Sequence, residues 1–203
     1  MKYLGAMAAC ALLLAGCGQK PIDASSSQSG ADWPWYHGNP NGTHYSTLDQ
    51  INTGNVRTLK IAWTFDSGDA FGEGDNQSDM EGNPMIIRGR LYFVSPKGRL
   101  FCLDAAKGTQ IWVFDPAFGD AVNTKQRLRG VSYWSDGKDE RILFTFRNRL
   151  LAVDAKTGHL IDTFGHNGEV DLKEGLGRDP VSVSVSNVSP GVVYKDLIIM
   201  GST

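Results

Sequence analysis

Beyond residue 60 the chain alternates short apolar runs with polar stretches rich in Gly, Asp and Asn. Leu100-Phe101-Cys102-Leu103 and Leu150-Leu151-Ala152-Val153 are continuous apolar runs of strand length, which predict strands buried on both faces. Ile111-Trp112-Val113-Phe114 and Leu160-Ile161 begin the strands that follow. Between each pair stands a turn, Asp104 to Gly108 in one case and Asp154 to Gly158 in the other. An Asp side chain accepts bonds from backbone amides a few residues on, and Gly takes a positive φ at no steric cost. Each stretch therefore predicts a β-hairpin closed by an Asx-type turn.

These are two copies of one unit. Gly98 to Phe114 and Asn148 to Phe164 align with Asp104 on Asp154 and Gly108 on Gly158, about 50 residues apart, which is typical of one β-propeller blade. Three more hairpins are predicted. Met85 to Ile87 pairs with Leu91 to Val94 across Arg88-Gly89-Arg90, Arg141 to Phe146 turns at Arg147-Asn148 into the second copy, and the last hairpin turns at Lys195-Asp196. Lys60 to Phe65 alternates as a half-buried strand with Ile61, Trp63 and Phe65 on one face, the kind of N-terminal strand that closes the last blade of a ring.

Composition narrows the class. With 203 residues and 41% hydrophobic content the chain can bury a real core, and 24 glycines fit many turns and short strands. A net charge of −2 gives no basic patch for nucleic acid. Met1-Lys2 leads an apolar run through Leu12-Leu13-Leu14, which reads as a signal peptide over residues 1–17 and is too short for a spanning helix. Leu14-Ala15-Gly16-Cys17 resembles a bacterial lipobox, which implies cleavage before Cys17, lipidation of its thiol and a periplasmic protein held to a membrane by a lipid anchor. By the same resemblance Gly18 favours the outer membrane. The other reading is an ordinary secreted protein cut at a small residue. Residues 18–31, with Ser25-Ser26-Ser27, form a flexible tether. Cys102 is then the lone mature cysteine and is read as a small buried hydrophobe. His37 and His44 lack a third ligand, and the acidic stretch Asp66 to Asp79 does not follow a calcium-binding EF loop, so it is read as a solvated insertion.

The repeat resembles the tryptophan-docking repeat of quinoprotein dehydrogenases, eight-bladed propellers that bind pyrroloquinoline quinone (PQQ). The residues that carry the likeness are Asp104, Gly108 and Trp112 in the first copy and Ala152, Asp154, Thr157 and Gly158 in the second, where Asp162 stands at the Trp position. The opening also resembles that family: Trp33-Pro34-Trp35-Tyr36, Gly42-Thr43-His44-Tyr45-Ser46, and Leu48-Asp49-Gln50-Ile51 followed by Asn55-Val56 and Leu59. Gly165 to Leu172 resembles a linker of the family, with His166 as a turn residue, and Ser189 to Ser202 resembles the start of a further blade. The resemblance implies an all-β fold, a partial, N-terminal section of an eight-bladed β-propeller over residues 32–203.

It also implies a chemistry. Glu81, in Glu81-Gly-Asn-Pro84, matches a position that contacts the quinone, and Arg129, in Arg129-Gly-Val131, matches one that binds its carboxylate or carbonyl region. An arginine fork suits a planar anion as lysine does not. A surface turn residue and a surface cation are the alternatives for Glu81 and Arg129. Residues 123–128 carry no adjacent cysteines, which favours the glucose-dehydrogenase-like branch. Calcium ligands and the catalytic Asp are expected beyond residue 203, so no catalytic or metal residue is assigned here and the chain alone is expected to be inactive. The implied activity is oxidation of a sugar or alcohol, with electrons passed to a quinone or cytochrome acceptor of the respiratory chain. A non-catalytic propeller scaffold like the outer-membrane barrel-assembly lipoprotein, and a gene fragment without activity, are the competing readings.

Overall fold

The computed structural model describes residues 32–74, 77–119 and 127–201. The expected signal peptide, Cys17 and the tether at 18–31 lie outside the described residues. The first blade is an antiparallel meander of β1 (Met85–Ile87), β2 (Arg90–Val94), β3 (Leu100–Asp104) and β4 (Gln110–Phe114), paired in that order. The second repeats it with β5 (Ser132–Ser135), β6 (Glu140–Phe146), β7 (Arg149–Asp154) and β8 (Glu169–Asp171). A third unit begins with the hairpin of β9 (Val192–Tyr194) and β10 (Leu197–Ile199). Apart from 3₁₀ conformation at Val56–Thr58 and at Gly74, no helix occurs among the described residues. The fold is thus all-β, a section of a β-propeller.

The uninterrupted apolar runs are explained by burial on both faces of each blade. Successive side chains of a strand point to opposite sides. Tyr92, Val94, Leu100 and Cys102 face the second blade and meet Ile142, Phe144, Leu151 and Val153. Phe93, Phe101 and Leu103 turn the other way, beneath Trp63 and Phe65. The far face of the second blade, with Leu143, Leu150 and Ala152, packs on Val193, Ile198 and Met200 of the third unit. Each fully buried Leu, Val or Phe contributes about 1.5–3 kcal/mol through removal from water.

Both repeat turns close in the same way. Asp104 Oδ1 accepts from the amides of Ala106 and Lys107, each at 3.0 Å. Asp154 Oδ1 accepts from those of Lys156 at 3.0 Å and Thr157 at 2.7 Å. Gly108 and Gly158 sit at φ +69° and +78° and donate back to the carbonyls of Asp104 and Asp154. These glycines also admit an indole. A Cβ on Gly108 would meet Trp63 at 2.4 Å, and one on Gly158 would meet Trp112 at 2.7 Å. Trp63 Nε1 donates to Ala105 O at 3.2 Å, and Trp112 Nε1 to Ala155 O at 3.3 Å.

The docking ring of each turn therefore comes from the unit before it. Asp162 does not deprive the second turn of its contact, because Trp112 supplies it. Three further expectations are corrected. Lys60 to Phe65 is extended but forms no strand; Trp63 and Phe65 pack on the first blade, whereas Ile61 is 83% exposed. After the second turn Leu160 makes only an isolated bridge to Val153. The chain then turns, so the stretch read as a linker contains β8, which pairs with β7 from Glu169 onward. His166 is a turn residue, as expected, its amide donating to Glu169 O at 2.7 Å. The acidic stretch is not wholly solvated. Asp69 is 2% exposed and is gripped by Arg99 through Nε at 2.8 Å and Nη2 at 2.7 Å, with Ser95 Oγ donating at 2.5 Å.

Candidate functional site

The loops that lead into β1, β5 and β9 run side by side along one rim. The Asn83 amide donates to Arg129 O at 2.8 Å, and the Arg129 amide donates to Val188 O at 2.9 Å. Arg129 is thus fixed through its backbone to the loop before it and the loop after it. Gly130 makes this approach possible, since a Cβ there would lie 2.9 Å from the Tyr36 ring and 3.4 Å from Asn83 O.

The same arrangement brings together the two candidate residues, 81 and 129. Arg129 Nε lies 3.8 Å from Glu81 Oε2, with side chains 51% and 36% exposed. This is a long ion pair, worth little to stability at such exposure. Its value is positional: a guanidinium and a carboxylate from successive blades share one open rim. The donor set fits a planar polyacid, with Arg129 able to hold an anionic edge by a forked contact and Glu81 able to make a ring-side polar contact.

Arg129 also lines a cleft of about 410 Å³, walled by Trp35, Tyr36 and His37 of the N-terminal segment and by Val131, Tyr133 and Pro190. Tyr36, His37 and His44 stack in sequence, with ring centroids 4.3 and 4.4 Å apart. Among the described residues no group of three or more His, Cys, Asp or Glu could hold a metal ion. Tyr133 donates to Glu140 Oε2 at 3.1 Å. Burial, abetted by Glu140 and opposed by Ser135 and Arg88, raises its hydroxyl above the ordinary phenol range.

Several residues that shape this rim were not visible in the sequence. Thr145 of β6 and Asn187 are buried polar groups bonded to each other, and nothing local marks them. The role of Trp63 left a trace: Trp63-Thr-Phe65 repeats the Trp-x-Phe spacing of Trp112-Val-Phe114.

Four-stranded antiparallel blades whose turn glycines each seat a tryptophan from the preceding segment, Trp63 over Gly108 and Trp112 over Gly158, define a propeller of the tryptophan-docking class. The family model described as "PQQ: Glucose/ethanol/alcohol dehydrogenase, beta-propeller domain" matches residues 33–203, and the chain belongs to that family. Quinoprotein glucose dehydrogenase of Escherichia coli (strain K12) is 31% identical over 196 residues, covering 90% of this chain and 25% of the relative. The dehydrogenase subunit of alcohol dehydrogenase (quinone) from Gluconobacter oxydans (strain 621H) is 37% identical over 145 residues, covering 68% of this chain and 18% of the relative. The crystal structure of quinohemoprotein alcohol dehydrogenase from Comamonas testosteroni superposes with a TM-score of 0.64 at 24% identity, over 85% of this chain and 23% of that one, a likeness of fold. The chain spans about a quarter of the length of such relatives.

Proposed function

We propose that these residues are the N-terminal blades of a periplasmic, PQQ-dependent dehydrogenase that oxidises a sugar or alcohol and passes electrons to a quinone or cytochrome acceptor. The observation that carries the reading is the meeting of Glu81 and Arg129, whose loops are joined by the bond from the Asn83 amide to Arg129 O. In this reading Arg129 holds an anionic edge of the cofactor and Glu81 makes a polar contact beside it. The chemistry supplied by the bound cofactor is two-electron acceptance from a CH–OH donor. Calcium, with ligands outside the described residues, completes the site. Residues 1–17 direct export, Cys17 carries the lipid, and residues 18–31 tether the blades to the membrane.

The test is PQQ binding by the full-length polypeptide, measured calorimetrically in the presence of calcium, followed by dye reduction with glucose or ethanol as donor. Arg129→Ala is expected to weaken PQQ about tenfold or more, in line with loss of a charge-assisted contact. Unchanged affinity removes Arg129 from the site. Residues 18–203 alone are expected to give no PQQ-dependent dye reduction, and turnover by that piece overturns the expectation.

A further inference from the structure

The segment 187–191 crosses the rim as a strap stapled to the second blade at both ends. At one end Thr145 Oγ1 donates to Asn187 O at 3.1 Å; at the other, Ser132 Oγ donates to Gly191 O at 2.6 Å. Between the staples, Val188 O accepts the Arg129 amide at 2.9 Å. Asn187 is held from its other side as well, its Nδ2 donating to Gly201 O.

Thr145 and Asn187 are 5% and 7% exposed. Thr145 lies in β6 between Phe144 and Phe146, directly opposite Leu150, the one hydroxyl in an otherwise apolar, buried run of the strand. A buried hydroxyl contributes little net stability when paired and is costly when it is not. The pair therefore calls for an account other than stability. The rim supplies one: the Arg129 backbone is fixed by Asn83 and Val188 while half of its side chain stays exposed. That combination suits a residue that must present its guanidinium at a set place, and such placement depends on groups behind it.

We propose that Thr145 and Asn187 are positioning residues for Arg129, acting through Val188 O to set where the guanidinium stands for the cofactor. This rests on the reading that Arg129 contacts PQQ. The loss of the Thr145 hydroxyl loosens one staple, lets the strap drift, and moves the Arg129 amide with it.

The test uses the full-length polypeptide, with PQQ as the titrant in calorimetry and thermal unfolding as the control. Thr145→Val is expected to weaken PQQ roughly tenfold, with at most a modest fall in the unfolding midpoint from the Asn187 carbonyl it leaves unpaired. Thr145→Ser, which keeps the hydroxyl, restores the parental affinity. Asn187→Ala, which removes the bond to Gly201 O, gives the same weakening by a second route. In an Arg129→Ala background Thr145→Val has no further effect on affinity. Parental affinity in both Thr145→Val and Asn187→Ala, or a loss that persists in the Arg129→Ala background, overturns the positioning role alone. Absence of PQQ binding in the parent, or an Arg129→Ala variant that binds as the parent does, overturns the cofactor reading and this inference with it.

Discussion

Trp112 lies so close over Gly158 that a single methyl group on that glycine would sit 2.7 Å from the indole, at a backbone φ of +78°. Strain at the positive φ and overpacking against the ring act together. Gly158→Ala is expected to destabilise the protein by about 2–4 kcal/mol. Gly175, at φ +73° with nothing within 4 Å of its Cβ position, isolates the backbone part. Gly175→Ala should cost about 1–2 kcal/mol. Equal shifts in urea midpoint for the two variants would show that the ring contact contributes nothing.

Among the described residues, Arg99 is the charged partner of Asp69, through two bonds at 2.8 and 2.7 Å. Arg99→Met leaves a buried carboxylate without its counter-ion. The expected loss is about 3 kcal/mol, and Asp69→Asn in the same background should recover part of it. Denaturant unfolding of the two variants measures this, and a shift below about 1 kcal/mol would mean the pair behaves as a surface contact.

Burial pushes the Cys102 thiol up to about 11, against smaller opposing effects of Arg90 and the Tyr92 hydroxyl. Almost no thiolate exists at pH 8, and the sulfur is fully covered. The peptide containing Cys102 is expected to stay unlabelled by iodoacetamide in the native protein and to label fully in guanidinium. Rapid native labelling at that peptide would contradict the packing of the first blade against the second.

Three turn aspartates favour their charged form. Backbone amides of Asp139 and Lys138 depress Asp136, and the Lys173 amide with the Asn148 side chain depresses Asp171. For Asp154 burial pulls upward and is outweighed by bonds from Thr157 and the Lys156 amide. A carboxylate with a lowered folded value contributes stability that is complete above the ordinary value of about 3.9 and is lost as pH falls through the lower one. Urea midpoints should thus hold steady near pH 5 and fall below about pH 4. Asp154→Asn keeps the acceptor oxygen but not the titration, and its midpoint should fall less steeply; an identical slope would count against the turn bonds.

What could be read from the sequence was what is local. The turns at Arg88-Gly89, Arg147 and Lys195 fall where hairpin chemistry places them, and each adopts the positive φ that such turns require. Asp104 and Asp154 bond their own next residues, so their role is written within a few positions. The exceptions are contacts made across the fold. Asp69 meets Arg99 30 residues on, and Trp112 reaches Ala155 43 residues on, so neither partner is marked by its neighbours. The break after Leu160 arises because Gly168 donates to Phe164 O and brings Gly165 against Glu169, a turn that alternation of apolar residues does not reveal. Glu81 and Arg129 were legible only through resemblance, since their proximity depends on two loops meeting at a rim.

The lock between blades has a direction. In both locks the earlier segment gives the indole and the later one the glycine turn, so the contact is heterologous. Units joined in this head-to-tail manner leave one unmatched partner at each end unless rotation brings the last against the first. The exposed Val192, Tyr194, Leu197 and Ile199 of the third unit are the surface that the next member of such a ring would cover. Trp63 on Gly108 and Trp112 on Gly158 hand over in one direction, and a head-to-tail contact of that kind builds a ring where its rotation closes.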